Sequence, residues 1–128
     1  ITSAIHIGSF SRVADGVKKE YVITIIGRIC GLLKRLLHGE EKNEMLFEDV
    51  RKGFSLLSSG KLGEEDAHAA EVVLVMRILN HLGYWGEHKE LSPFLKDALP
   101  LEYLLPHVEQ RRPFVIREIN KALRETQL

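Results

Sequence analysis

The chain has 128 residues, of which 45% are apolar and 28% charged, with a formal net charge of zero. That length suits one domain with its own core, and the apolar content is too high for a disordered chain. The single cysteine, Cys30, excludes an internal disulfide and a zinc site built from cysteines, and weakly favours a reducing compartment.

Along the chain, Ile1–Phe10 opens with the alternation Ile5-His6-Ile7 and reads as a short strand or extended lead-in ending at Gly8. A first helix is expected from Lys18 to Leu37. Its stripe is Val22, Ile25, Ile26, Ile29, Leu33 and Leu36, and Gly39 supplies the stop. Tyr21–Ile26 is rich in strand formers, but the helical spacing runs on past it and decides for helix. Gly27 and Gly31 lie one turn apart and are expected to let another helix approach closely, offsetting a propensity cost of ~1 kcal/mol each.

Asn43 is placed to cap a second helix ending near Ser59, with Gly60 beyond it and Leu46, Phe47, Val50, Phe54 and Leu57 as its apolar stripe. Glu48 and Lys52 are spaced as an outer ion pair. Glu64-Glu65-Asp66 then opens a third helix at the end where the helix dipole favours anions. This helix is apolar all round from Val72 to Met76 and continues through Ile78, Leu79 and Leu82 to Gly83, as expected of a central helix. Tyr84 to Gln110 is less regular: Ser92-Pro93 starts a short helix to about Ala98, and Pro100 and Pro106 are expected to interrupt the chain beyond it. A last helix runs from Arg112 or Pro113 to Glu125, burying Phe114, Val115, Ile119, Ala122 and Leu123.

The residues carry no constellation for chemistry. None of the six histidines sits in a spacing that aims two imidazoles at one ion. His81 and His88, with Glu87 and Glu90, come nearest, and surface or capping roles are the plainer reading. Cys30 lies among Ile26, Ile29 and Leu33, where burial raises a thiol pKa rather than activating it. Nucleotide-binding and nucleophile motifs are missing, so neither an enzyme, a metal nor a cofactor is expected.

Charge is segregated. Residues 1–38 hold six Lys/Arg against two Asp/Glu, residues 39–71 four against nine, and residues 111–128 five against two. Two basic clusters stand out. Arg117, Lys121 and Arg124 share one stripe of the last helix, preceded by Arg111 and Arg112, while Lys34 and Arg35 end the first helix. Glu118 is expected to point away from that stripe. Such cations suit phosphates or carboxylates; ordinary helix surface charge, favoured at C-terminal ends by the dipole, is the plainer alternative. Few aromatics interleave with them, which argues against a base-stacking platform.

Leu32-Leu33-Lys34-Arg35-Leu36-Leu37-His38-Gly39-Glu40-Glu41-Lys42-Asn43-Glu44-Met45-Leu46-Phe47 resembles a stretch of the bacterial DNA repair protein RecO. Leu74 to Tyr84 resembles that family's central helix, which closes on Leu-Gly-Tyr, and Arg117–Leu128 is similar to the end of its shorter members. The resemblance covers residue 20 to the end, in the family's order. It implies the helical C-terminal domain of a recombination mediator, which binds and anneals DNA, engages the single-stranded DNA-binding protein and RecR, and helps place RecA on single strands. The chain differs in two respects. Residues 85–110 hold no cysteine where many members have a four-cysteine zinc module, so no zinc is expected. The central helix opens on Glu64–Glu71 where some members have basic residues that grip the single-strand-binding protein's acidic tail, so cations for that contact must come from elsewhere.

The expectation is therefore an all-α bundle of four to five helices around a central helix at about residues 65–82. Residues 1–11 form an extended lead-in, the end of an OB-fold if the resemblance holds, and residues 12–128 the helical domain. Starting at Ile1, the sequence is compatible with the back part of a longer protein, and it has no basic leader typical of a signal peptide. With no apolar run near the ~18 residues that span a bilayer, the location expected is cytoplasmic. The function expected is DNA and partner binding through Arg117, Lys121, Arg124, Lys34, Arg35, Arg111 and Arg112; the alternative is an unrelated helical adaptor without a nucleic-acid role.

Overall fold

A computed structural model of the chain describes residues 20–37, 43–86, 90–95 and 101–126. The lead-in over residues 1–11 and the helix start at Lys18 lie outside them. The described residues form α1 (Glu20–Leu36), α2 (Glu44–Ser58), α3 (Glu64–His81), α4 (Ser92–Leu95), α5 (Leu101–Gln110) and α6 (Arg112–Glu125), with no strand among them. The bundle is all-α as expected, with six helices, one of them a single turn, in place of four or five.

In α1 the six stripe residues from Val22 to Leu36 are all buried. Burying each such side chain contributes ~1.5–3 kcal/mol, whereas the strand preference of Tyr21–Ile26 spans only ~1 kcal/mol per residue. Packing therefore sets the conformation. At the start of α2 the Asn43 side-chain oxygen accepts from the Leu46 amide at 3.1 Å, satisfying a donor with no partner inside the helix. Leu46, Val50, Phe54 and Leu57 are buried beneath it. Glu48 pairs with Arg51, three residues on, at 3.0 Å rather than with Lys52.

α3 is the axis of the fold, and all five other helices pack on it. Eight apolar residues between Ala67 and Leu79, Val73, Leu74 and Met76 among them, are at most 1% exposed, and Gly83, at φ 82°, turns the chain away beyond His81. The Tyr84 amide then returns to the Leu79 carbonyl at 2.9 Å.

Two expectations about local structure are corrected. Pro106 lies inside α5 and does not interrupt it. An interior proline costs ~3 kcal/mol, but its missing N–H would have reached only to Glu102 in the first turn, and α5 buries Leu104, Leu105 and Val108 against α3. Gly27 and Gly31 are exposed, and a Cβ at either would meet nothing within 4 Å. The close approach occurs at Gly53 of α2 instead, where an added Cβ would sit 2.6 Å from Cδ2 of Leu74.

Candidate functional site

The basic residues singled out in the sequence separate into three groups. Arg111 and Arg112, at the start of α6, are paired with Glu90 at 3.4 Å and Glu109 at 3.3 Å. Each therefore has a carboxylate beside it. Arg117, Lys121 and Arg124 are exposed along α6, and no hydrogen bond or ion pair ties them to other described residues. Arg35 bridges to that helix. Its Nη2 donates to Thr126 Oγ1 at 2.8 Å and to the Leu123 carbonyl at 3.4 Å, capping the C-terminal end of α6.

That bridge brings the C-terminal ends of α1 and α6 together, joining two basic clusters separated by about ninety residues of sequence. Arg124 is next to the capped carbonyl of Leu123. Lys34 is exposed at the same end of α1, turned ~100° round the axis from Arg35. Arg112 lies twelve residues before Arg124, or ~18 Å along α6, so Arg111 and Arg112 do not join this corner.

Lys121 is less cationic in its surroundings than the sequence suggested. Glu118 does not point away. With Glu125 it flanks Lys121 in a cleft of about 280 Å³ between α6 and the Tyr84–Gly86 segment. Arg124, at the end of α6 that meets α1, and Arg117, seven residues or ~10 Å before it, are the exposed cations of α6 outside that cleft.

Beside this corner, α1, α3 and α6 enclose a groove of about 400 Å³. Ile29, Leu32, Val72, Val75, Ile119 and Leu123 give it an apolar floor, and Arg28, Arg35 and Glu71 are its charged lining. Gly31 lines it too, and Ile116 stands at its edge with 38% of its surface exposed. Arg28 meets Glu71 side-on, with Nε to Oε2 at 2.7 Å and Nη2 to Oε1 at 2.8 Å. This bond to Glu71 holds the guanidinium pKa above its ordinary value. Nothing in the sequence pattern marked the groove, because it is made of three helices distant along the chain.

Sequence reasoning also missed a buried polar cluster. Asp49 and Arg77 are 5% and 6% exposed, with Arg77 Nη1 3.4 Å from Asp49 Oδ1 and His81 Nε2 2.6 Å from Asp49 Oδ2. Arg77 Nε also donates to the Phe94 carbonyl at 2.8 Å, tying α4 to α3. The available signal was a charge inside each apolar stripe: Asp49 next to Val50, and Arg77 between Met76 and Ile78. His81 is thus engaged with Asp49, while His88 and Glu87, its neighbours in the nearest approach to a metal spacing, lie outside the described residues. Among the described residues no three His, Cys, Asp or Glu side chains are grouped to hold a metal. Cys30 is half-buried, and burial pushes its thiol pKa up.

Compared with known proteins, the sequence matches no family model, no curated protein and no solved structure. Among the described residues no helix is long and apolar enough to cross a membrane.

Proposed function

We propose that this chain is the helical domain of a RecO-like recombination mediator, a cytoplasmic binding module that engages DNA and partner proteins and performs no catalysis. The observation that carries the reading is the joining of the α1 and α6 ends. Arg35 fastens them; Lys34 and Arg124 are exposed at those ends and Arg117 two turns back along α6, none with a carboxylate partner among the described residues. Phosphates of a DNA strand suit that corner, since neutralising them releases counterions. The adjoining apolar groove suits a protein segment that pairs apolar side chains with carboxylates, as the tail of a single-stranded DNA-binding protein does. The cations for such a contact then come from α1 rather than from the acidic start of α3. RecR completes the set of partners that the resemblance implies.

The test is fluorescence anisotropy of a labelled single-stranded oligonucleotide with the chain and two reversal variants. Lys34→Glu/Arg117→Glu/Arg124→Glu should weaken binding, and it should flatten the log–log salt dependence by roughly 0.7 per lost phosphate contact. Arg111→Glu/Arg112→Glu, on cations already paired, should change it little. Arg35 is left intact because it caps α6. Equal binding by all three proteins would overturn the DNA role and leave the adaptor alternative.

A further inference from the structure

The Arg28–Glu71 pair is placed unlike the other surface ion pairs. Both residues line the apolar groove, and His68 Nδ1, one turn before Glu71 on α3, lies 3.6 Å from its carboxylate. Glu71 is only 16% exposed, whereas half of Arg28 faces solvent. A carboxylate thus already occupies the side-on edge of the guanidinium, the edge that matches a carboxylate in two parallel hydrogen bonds.

We propose that Glu71 is a built-in competitor for the groove, holding Arg28 until the acidic side chain of a docking partner displaces it. The inference rests on the reading of the groove as a docking surface for an acidic, apolar-anchored segment. Charge decides the direction. With Glu71 ionised, the lining carries Arg28 and Arg35 against one carboxylate; an incoming carboxylate is drawn by the guanidinium and repelled by Glu71 at the same place. Replacing one carboxylate by another leaves the number of ion pairs unchanged but strands Glu71, 16% exposed, beside a like charge, so the exchange itself opposes docking. Anchoring by Ile29, Val72 and Val75 must then supply the preference, and an acidic segment without apolar side chains is turned away. Glu71 in this way makes the groove selective for partners that bring both chemistries together.

The experiment uses the whole chain and a fluorescein-labelled peptide, Asp-Leu-Leu-Asp-Asp-Leu-Leu-Asp, titrated by anisotropy at low salt. Glu71→Gln should tighten binding by about two- to fivefold, the size of effect expected of a partly exposed ion pair. Glu71→Asp, which keeps the charge but shortens the reach, should fall between it and the wild type. Arg28→Met/Glu71→Gln should lose the gain. Glu48→Gln is the control: it frees Arg51 of α2 from a similar pair and adds the same net charge away from the groove. If Glu71→Gln binds like the wild type, or Glu48→Gln gains as much, the competitor role is overturned while the docking surface stands. If neither the wild type nor Glu71→Gln binds the peptide, the docking reading fails and the competitor role with it.

Discussion

Where α3 meets α2, Leu74 fills the space that a Gly53 side chain would take, and Asp49 and Arg77 are buried with His81 partly covered beside them. Where α3 meets α1 and α6 there is a groove of about 400 Å³ lined on α1 by Gly31, whose Cβ position would touch nothing, with exposed cations nearby. The same central helix thus serves two purposes on its two sides. One side fixes the fold through close packing and a satisfied buried network. The other packs more loosely and leaves apolar area and charge open. Substitutions on the two sides should therefore differ in sign as well as in size.

The largest effect is expected at Asp49. Removing the carboxylate in Asp49→Ala takes the charged partner from Arg77, 6% exposed, and the Asp49 contact from His81, and breaking one partner out of a buried pair typically costs ~3–5 kcal/mol. The loss should show as an earlier midpoint in urea denaturation. Because Arg77 also holds the Phe94 carbonyl, amide exchange should accelerate in α4 as well. A loss below about 1 kcal/mol would mean that the α2–α3 side is not the locked one.

The reach of sequence reasoning follows the same division. The stripes of α1, α2, α3 and α6 were legible because burial at spacings of three and four is a local property, and so was the Asn43 cap. α5 was not, because Pro106 signalled a break that burial of Leu104, Leu105 and Val108 outweighs. The glycines were misread for want of one check. On a helical wheel Gly27 and Gly31 fall on the face opposite Val22, Ile25 and Ile29, whereas Gly53 falls within the buried stripe of α2. At the site, the types of residue were legible and their company only in part. The i,i+3 and i,i+4 spacings of Glu109 to Arg112 and of Glu118 and Glu125 to Lys121 were there to be read, but no local pattern shows that Arg35 meets Thr126 or that Arg111 pairs with Glu90. Those two are tertiary contacts between segments far apart in sequence.

Gly53→Ala gives the next largest effect. The added methyl would lie 2.6 Å from Leu74 Cδ2, and Leu74 is 1% exposed and so has little room to yield. Overpacking of this kind costs ~1–3 kcal/mol, against a propensity gain of ~1 kcal/mol for alanine in a helix. The net should be a loss, measured by thermal or urea unfolding. Stability equal to or above the wild type would show that Leu74 rotates away easily and that the α2–α3 contact is looser than its geometry.

Gly31→Ala should give the smallest effect, and the opposite sign. Gly31 is in the middle of α1, is exposed, and has no atom within 4 Å of a built Cβ. With no contact to disturb, the substitution leaves only the backbone term: alanine loses less conformational freedom on entering a helix, which stabilises by ~0.5–1 kcal/mol. The melting temperature should rise by a few degrees. Because Gly31 also lines the groove, the same variant separates stability from binding. A methyl group added to the lining takes up space that a docked segment would use, so affinity for an acidic, leucine-bearing peptide should fall while the fold becomes firmer. A protein both more stable and equally able to bind would place the docked segment away from the α1 wall of the groove, on the α3 and α6 residues instead. A less stable one would mean that the outer face of α1 is covered by a neighbour, and the contrast between the two sides of α3 would be lost.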